Sequence, residues 1–378
     1  MIKKAILFLF AINLVYISVA QDGDELSEAL NPINITVPFL TIASDSRAGA
    51  MGDAGVATSP DLSSQHWNPA KYVFMEERMG GAVSYTPWLK NLGVTDLHLL
   101  YGTFYYKFDD RQAVSAGLRY FNLGSITFTN YSGGYVRTAN PQEWAIDAAY
   151  SRLFSEYFSA ALAFRFIFSN IADGYNSTGF DYAPGKSYAA DLAVYYQRPL
   201  TVDKKDAEMA LGLNISNIGT KMAYSNSEEK EFIPANLRLG GRFTIDLDEY
   251  NSLSFAVDLN KLLVPTPDSA DILDSVAAPG VIPGMIQSFY DAPGGGKEEL
   301  HEIMYSVGVE YWYRNQFAIR AGYFHEHESK GNRKYATLGI GLKLNIFSID
   351  YSYLIPTSGG RNSPLANTMR FTLGFTFE

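Results

Sequence analysis

The sequence predicts an all-β protein, a 14-stranded antiparallel transmembrane β-barrel with an N-terminal hatch or plug. Three observations carry this: segments of roughly ten residues alternate apolar and polar side chains, their connections alternate short and long, and charged residues fall on the minority face. The final ten residues, MRFTLGFTFE, show the pattern best. Met369, Phe371, Leu373, Phe375 and Phe377 alternate with Arg370, Thr372, Gly374, Thr376 and Glu378. Successive side chains of a strand point to opposite faces, so one face is wholly apolar and the other polar or small.

Residues 1–20, MIKKAILFLFAINLVYISVA, read as a signal peptide. Lys3 and Lys4 form the positive region, Ala5 to Ile17 the apolar core, and Ser18-Val19-Ala20 the small-x-small cleavage site. Cleavage after Ala20 is expected; the alternative is a retained anchor, for which the apolar core is short. Cleavage leaves 28 of the 30 basic residues against 40 acidic, moving the formal charge from −10 to −12. An acidic exported chain argues against a nucleic-acid partner. Cysteine is absent, which excludes disulfides and thiolate metal sites. After residue 20 no stretch approaches the ~18 uninterrupted apolar residues of a membrane helix, so any spanning is done by strands.

Residues 21–76 lack sustained alternation and carry Gly49, Gly52, Gly55, Pro60 and Pro69, the mark of a compact, loop-rich plug ahead of a barrel over residues 77–378. Fourteen strands follow near 79–86, 94–106, 112–122, 142–152, 157–169, 187–197, 207–217, 236–246, 252–262, 302–313, 315–326, 334–344, 346–355 and 367–378. Most have about the 9 to 11 residues of a tilted membrane strand, and bacterial barrels have an even count. After even-numbered strands the connections are short: DD near 109, SE near 155, Arg314-Asn315 and Asn345, with RPLTVDKKD the longest exception. After odd-numbered strands they are long: 123–141, 170–186, 218–235, 263–301 and 356–366. Short periplasmic turns and long external loops are the outer-membrane pattern, and this phase puts both chain ends in the periplasm.

On the minority faces stand Arg119, Asp147, Arg165, Asp191, Asn214, Arg238, Arg242, Asp258, Glu310, Arg320, Lys343, Asp350 and Arg370. Charges in a sandwich core are costly, whereas charges facing a polar lumen can hydrate or pair with one another. The alternative, a solvated face of a soluble sheet, needs a second core to bury the aromatic-rich faces. A bore of fourteen strands is too wide for wall side chains to fill, so the plug is expected to close it.

The stretch FLTIASDSRAGAMGDAGVATSPDLSSQHWNPAKY, residues 39–72, resembles the N-terminal signature of the PorV family, outer-membrane components of the type IX secretion system. Asn68-Pro69-Ala70 matches an Asn-Pro-Ala element in the plug of the related FadL-type fatty-acid transporters, and GLNISNIG (212–219) and PANLRLGG (234–241) are similar to family segments. The resemblance runs from about residue 37 to the C-terminus. It implies a 14-stranded barrel with a hatch, in contact with outer-membrane lipid, no catalysis, and three protein partners. These are the type IX translocon channel protein, the C-terminal signal domain of exported cargo, and the surface attachment (sortase-like) complex. Periodicity by itself supports only a membrane scaffold with long loops. A rival reading is a FadL-like transporter of small hydrophobic molecules, which needs an apolar pocket continuous with an opening in the barrel wall.

The longest loop contains VAAPGVIPGMIQSFYDAPGGG. Val281, Ile282, Pro283, Met285, Ile286, Phe289 and Tyr290 make it too apolar for an indifferent solvated loop. It either docks on a partner or exported cargo, or folds back over the barrel mouth as a lid. His325 and His327 lie two apart at a strand end, hence on one face, but no third metal ligand is evident and they read as polar loop residues. Gly294-Gly295-Gly296-Lys297 lacks both the spacing and the hydroxyl of a phosphate loop and reads as a flexible turn. No Ser/His/Asp order is recognisable among five histidines, and no pattern asks for a cofactor. Asn68-Pro69-Ala70 is expected to shape a turn of the plug.

Overall fold

The computed structural model describes residues 30–90, 96–130, 132–171, 183–224, 230–266, 279–359 and 363–378. The signal-peptide reading and the start of the plug lie outside the described residues. The strands are β1 (Met79–Pro87), β2 (Leu97–Asp109), β3 (Gln112–Leu123), β4 (Ile126–Thr129), β5 (Tyr135–Ala139), β6 (Gln142–Ser155), β7 (Phe158–Asn170), β8 (Gly185–Val202), β9 (Lys205–Gly219), β10 (Asn236–Asp248), β11 (Asn251–Leu262), β12 (Met304–Tyr313), β13 (Phe317–His325), β14 (Lys334–Leu344), β15 (Phe347–Pro356) and β16 (Met369–Phe377).

Fourteen of these close into one antiparallel barrel, each strand beside its neighbour in sequence except that β3 pairs β6 and β16 returns to β1. The C-terminal segment is the closing strand, with Met79 opposite Phe377 and Tyr85 opposite Phe371. Its two faces part as the alternation requires: Phe371, Leu373 and Phe377 are exposed on the outside, whereas Arg370, Thr372 and Thr376 are buried inside. The same outward apolar row continues around the wall through Val83, Leu162, Phe164, Leu192, Val257 and Ile340.

Two connections differ from expectation. RPLTVDKKD is not a long turn: β8 and β9 pair as far as Val202 and Lys205, leaving Asp203 and Lys204, both at positive φ (49° and 66°), as a two-residue hairpin turn. Its β-branched and paired residues extend the ladder beyond the length a membrane needs. Conversely, loop 123–141 holds a hairpin of its own, β4 paired with β5, apart from the barrel.

The plug fills the bore and packs its buried side chains against the inner face of the wall. The chain is first seen at the mouth carrying the long loops, where the Asn31 backbone N–H donates to Ser329 (2.9 Å) and that of Thr36 to Phe232 (2.9 Å). Val37, Phe39 and Leu40 there pack on Leu99, Phe121, Ile167 and Ile233 of the wall and its loops. Helix α1 (Ser46–Ala50) follows, capped by Asp45, whose carboxylate accepts from the Ala48 N–H at 2.9 Å and from Trp67 Nε1 at 2.6 Å. Helix α2 (Ser64–Trp67) and a 3-10 turn (Pro69–Phe74) complete it, and the chain enters β1 at the short-turn mouth. Leu30, the first described residue, and Phe377 stand at opposite mouths, because the described plug runs the height of the barrel before the first strand begins; the N-terminal end named in the sequence reading lies outside the described residues.

Candidate interaction site at the loop mouth and the seal beneath it

The seal is built where inward charges of the wall meet the plug. Asp147 of β6 and Arg165 of β7 are cross-strand partners, and Arg165 also reaches Asp191 of β8 at 2.9 Å. Gln65 of the plug donates to Asp147, and the Asn217 N–H donates to Asp191 at 2.7 Å. Across the bore, Glu310 of β12 and Arg320 of β13 are paired at 2.6 Å, with Asp350 of β15 2.5 Å from the same guanidinium. Here the plug inserts Arg47, whose two nitrogens clasp Glu310 at 2.9 and 2.7 Å while a third contact reaches Asp61 at 3.0 Å. Such pairs survive burial because each charge has several hydrogen-bonded partners.

Other inward groups bond the plug backbone. Arg119 donates to the Leu40 carbonyl (2.7 Å) and to His66 Nδ1 (2.6 Å); Arg238 donates to the His66 carbonyl (3.3 Å) and lies over the Trp67 ring. Arg242 holds the Ala57 carbonyl (3.2 Å) and pairs with Glu208, and Arg370 holds the Gly49 carbonyl (3.3 Å). Asp258 accepts from the Gly55 and Val56 N–H groups at 2.6 and 2.9 Å. The charges read as lumen residues face inward, and all are buried except Lys343 and Asp350, which are half-buried. They do not simply hydrate or pair with one another, since the plug takes up most of their capacity. Asn68 does more than shape its turn: its oxygen caps the Ala70 N–H (3.1 Å), and its amide donates to Val56 within the plug (3.1 Å) and to Val194 of the wall (2.9 Å). The Pro69 and Ala70 carbonyls accept from Ser151 and Ser159 of the wall at 2.7 and 2.6 Å.

At the opposite end from the short turns, the loop between β11 and β12 forms helix α3 (Val281–Gln287) and helix α4 (Gly296–His301). The glycine triplet is not slack: Gly295, at φ 66°, directs the chain into α4. The acidic side of α4 and its flank fixes the loop to the mouth. Glu302 accepts from Lys261 (2.5 Å), Thr266 (2.5 Å) and Lys330 (3.0 Å); Glu298 accepts from Lys330 (2.5 Å) and from Asn31 of the plug arm (3.1 Å). Glu302 and both lysines are buried. Burial works to raise the Glu298 carboxyl, but the Lys330 ammonium, the Gly294 N–H and Asn31 outweigh it and hold it below its usual range. Burial pushes Asp291 up to about 6, against the Thr266 N–H and with the help of Glu299 and Glu302.

Helix α3 sits on this base through Gly284, where a Cβ would stand 2.7 Å from the Phe232 ring. Val281 and Met285 are half-buried, while Ile282, Pro283, Ile286, Phe289 and Tyr290 face out, Tyr290 at 72% exposure. Ile282 and Ile286 lie one turn apart on α3, and Phe289 and Tyr290 follow in the turn just past it; the four exposed side chains make an outward apolar stripe. The loop thus folds back as a lid and also presents an apolar face. His325 and His327 separate because β13 ends at His325: His325 stacks on Tyr305, and His327 stacks on His301 of α4 with ring centroids 3.5 Å apart. Sequence reasoning missed Arg47, the buried Lys71, whose ammonium donates to the Gly55 carbonyl (2.9 Å) and to Thr58 Oγ1 (3.0 Å) within the plug, and the Lys261–Glu302–Lys330 clasp.

Inside the short-turn mouth lies a cavity of about 620 Å³ whose lining includes Arg47, Asp61, Glu208, Arg242 and Glu310, a charged vestibule. A second hollow, of about 480 Å³, lies on the outer wall and is lined by apolar side chains of β7–β11.

Among solved structures the chain is similar to the Ralstonia pickettii toluene transporter TbuX (10% identity, 88% of this chain and 98% of that one, TM-score 0.47). It is also similar to a Pseudomonas aeruginosa FadL homologue (11%, 89% and 99%, 0.44) and to the Pseudomonas putida toluene transporter TodX (11%, 92% and 98%, 0.47). At those identities and scores the likeness says nothing about what this chain carries. No curated protein matches the chain. The family described as "Type IX secretion system protein PorV" matches residues 25–269, nearly two thirds of the sequence and spanning both plug and wall: the chain belongs to the PorV family, as outer-membrane β-barrels of type IX secretion.

Proposed function

We propose that this barrel is a shuttle or adaptor of type IX secretion: it associates with the translocon channel, takes cargo by its C-terminal signal domain and delivers it to the surface attachment complex. The observation that carries this reading is the seated lid with its outward stripe of Ile282, Ile286, Phe289 and Tyr290, set above a plug bonded to the wall along its length. Such a molecule offers a protein a rigid apolar contact and offers a solute no open path. We orient the short turns to the periplasm and the lid outward, so that the stripe meets partners at the cell surface. No group in this scheme is asked to do chemistry.

The transporter reading needs an apolar chamber inside the barrel. The cavity inside the short-turn mouth mixes charged groups with apolar ones in its lining and the apolar hollow lies on the outer wall, so neither is the dry inner chamber that reading needs. Co-purification from solubilised membranes tests the proposal. A variant carrying Ile282→Asp, Ile286→Asp and Phe289→Asp is expected to insert normally and to lose at least tenfold of the co-eluting channel. Undiminished channel recovery would remove the stripe from the mechanism, and a wild-type barrel isolated with a fatty acid in its bore would favour transport.

A further inference from the structure

We propose that the outer wall of β7–β11 holds a phospholipid in a fixed place, with one acyl chain lying in the hollow beside Gly241 and an anionic headgroup on Arg198. The register supplies the geometry. Tyr196, Leu211, Gly241 and Val257 pair in sequence across four strands and form one outward row; Leu213 and Leu239 belong to the next row, one pleat further from the short turns. In the first row every position but one carries a large side chain. The exception, Gly241, leaves the hollow: a Cβ there would have Leu211 at 3.6 Å and nothing closer, so the space is open.

The adjacent Gly240 has the opposite task. Its missing Cβ admits Val56 of the plug and the Asp258 carboxylate, at 2.3 and 2.2 Å from where a Cβ would stand. One glycine of the doublet is thus explained by the seal, and the other faces lipid.

The occupant follows from what surrounds the hollow. It is continuous with the lipid-facing band and lined by apolar groups, which suits a hydrocarbon chain. On the short-turn side, Tyr157 and Tyr196 stand with ring centroids 6.5 Å apart, the aromatic pair expected at the headgroup level. Two residues beyond Tyr196 on the same face of β8, about 7 Å along the strand, is the exposed Arg198. Among the described residues Arg198 makes no ion pair with a carboxylate. A cation at the interface, next to an apolar hollow on the same face, complements a lipid phosphate above its own chain.

Native mass spectrometry of the full-length protein, extracted from its membrane in mild detergent, tests this. The wild type is expected to retain one phospholipid, Gly241→Phe to lose it, and Arg198→Ala to reduce its occupancy about fivefold. Gly102→Phe, on the outer face of β2 where a Cβ meets nothing within 4 Å, serves as the wall control and keeps the lipid. Should Gly241→Phe fail to insert, Ala160→Phe, opposite Val194 at the other end of the hollow, reads the same space. A lipid fraction unchanged in these variants, or absent from the wild type, overturns the proposal. So does a protein that co-elutes with the wild type and leaves with Gly241→Phe, which would make the hollow a protein contact. Channel co-purification through the lid is a separate readout, so failure of either proposal leaves the other standing.

Discussion

Arg165 shows how single residues decide the interior. Its guanidinium bridges Asp147 and Asp191 on the two flanking strands and donates to Asn217. Removing it leaves two buried carboxylates without their cation, which costs about 3–5 kcal/mol, whereas replacing a whole buried set with neutral groups of similar size is often close to neutral. Arg165→Ala should therefore lower the thermal unfolding midpoint in detergent markedly, followed by loss of β-sheet circular dichroism. Arg165→Met combined with Asp147→Asn and Asp191→Asn should recover most of that loss. A single variant as stable as the wild type would mean that the triad contributes little beyond packing.

At the scale of elements, the strands and the lid respond to different solvents. The outward row of β16 meets hydrocarbon, so Leu373→Arg should cost about 2–4 kcal/mol, read as a shifted denaturant midpoint for folding into phospholipid vesicles. An equal midpoint would place that face in water. The lid is governed by titration. Glu298 is held low by its cation, so its contribution is complete above its ordinary value of 4.5 and is lost as pH falls below that. Asp291 has a raised value, so its contribution is complete below the ordinary 3.8 and is lost as pH rises through about 6. Together they make the lid firmest near pH 4.5, with amide protection factors over residues 281–302, taken relative to the intrinsic exchange rate at each pH, lower both in stronger acid and above pH 6. Protection that is flat across this range would show that neither carboxylate governs the lid.

For the whole molecule, the consequence of a plug that runs mouth to mouth is a sealed barrel. The fit is closest where β12, β13 and β14 present glycine to α1 and the turn after it. At Gly322 a Cβ would lie 2.1 Å from the Gly52 nitrogen and the Met51 carbonyl carbon, so no side chain can stand there without moving the plug backbone. Wild-type protein in planar bilayers is expected to pass no steady current, and Gly322→Val to open discrete conducting events while the barrel stays folded. Equal silence in both would mean that the plug can shift within the bore without opening it. With the bore filled by the plug, any contact of this barrel with other proteins falls to the rim and the outer wall.

The strand count, the face each strand turns to lipid and the phase of long and short connections were readable from the sequence, because a period of two is a local property and lipid demands it without exception. The plug was readable only as an interval without that period. Tertiary structure decided what each inward charge holds, since Arg47 and Glu310 lie 263 residues apart in the chain and meet only because the plug crosses the bore at that height. It likewise decided that the glycine doublet splits its service between plug and lipid, that the histidine pair parts, and that the apolar loop is both lid and exposed face. Contacts between distant segments depend on the path of the chain in space, and no local alternation encodes that path.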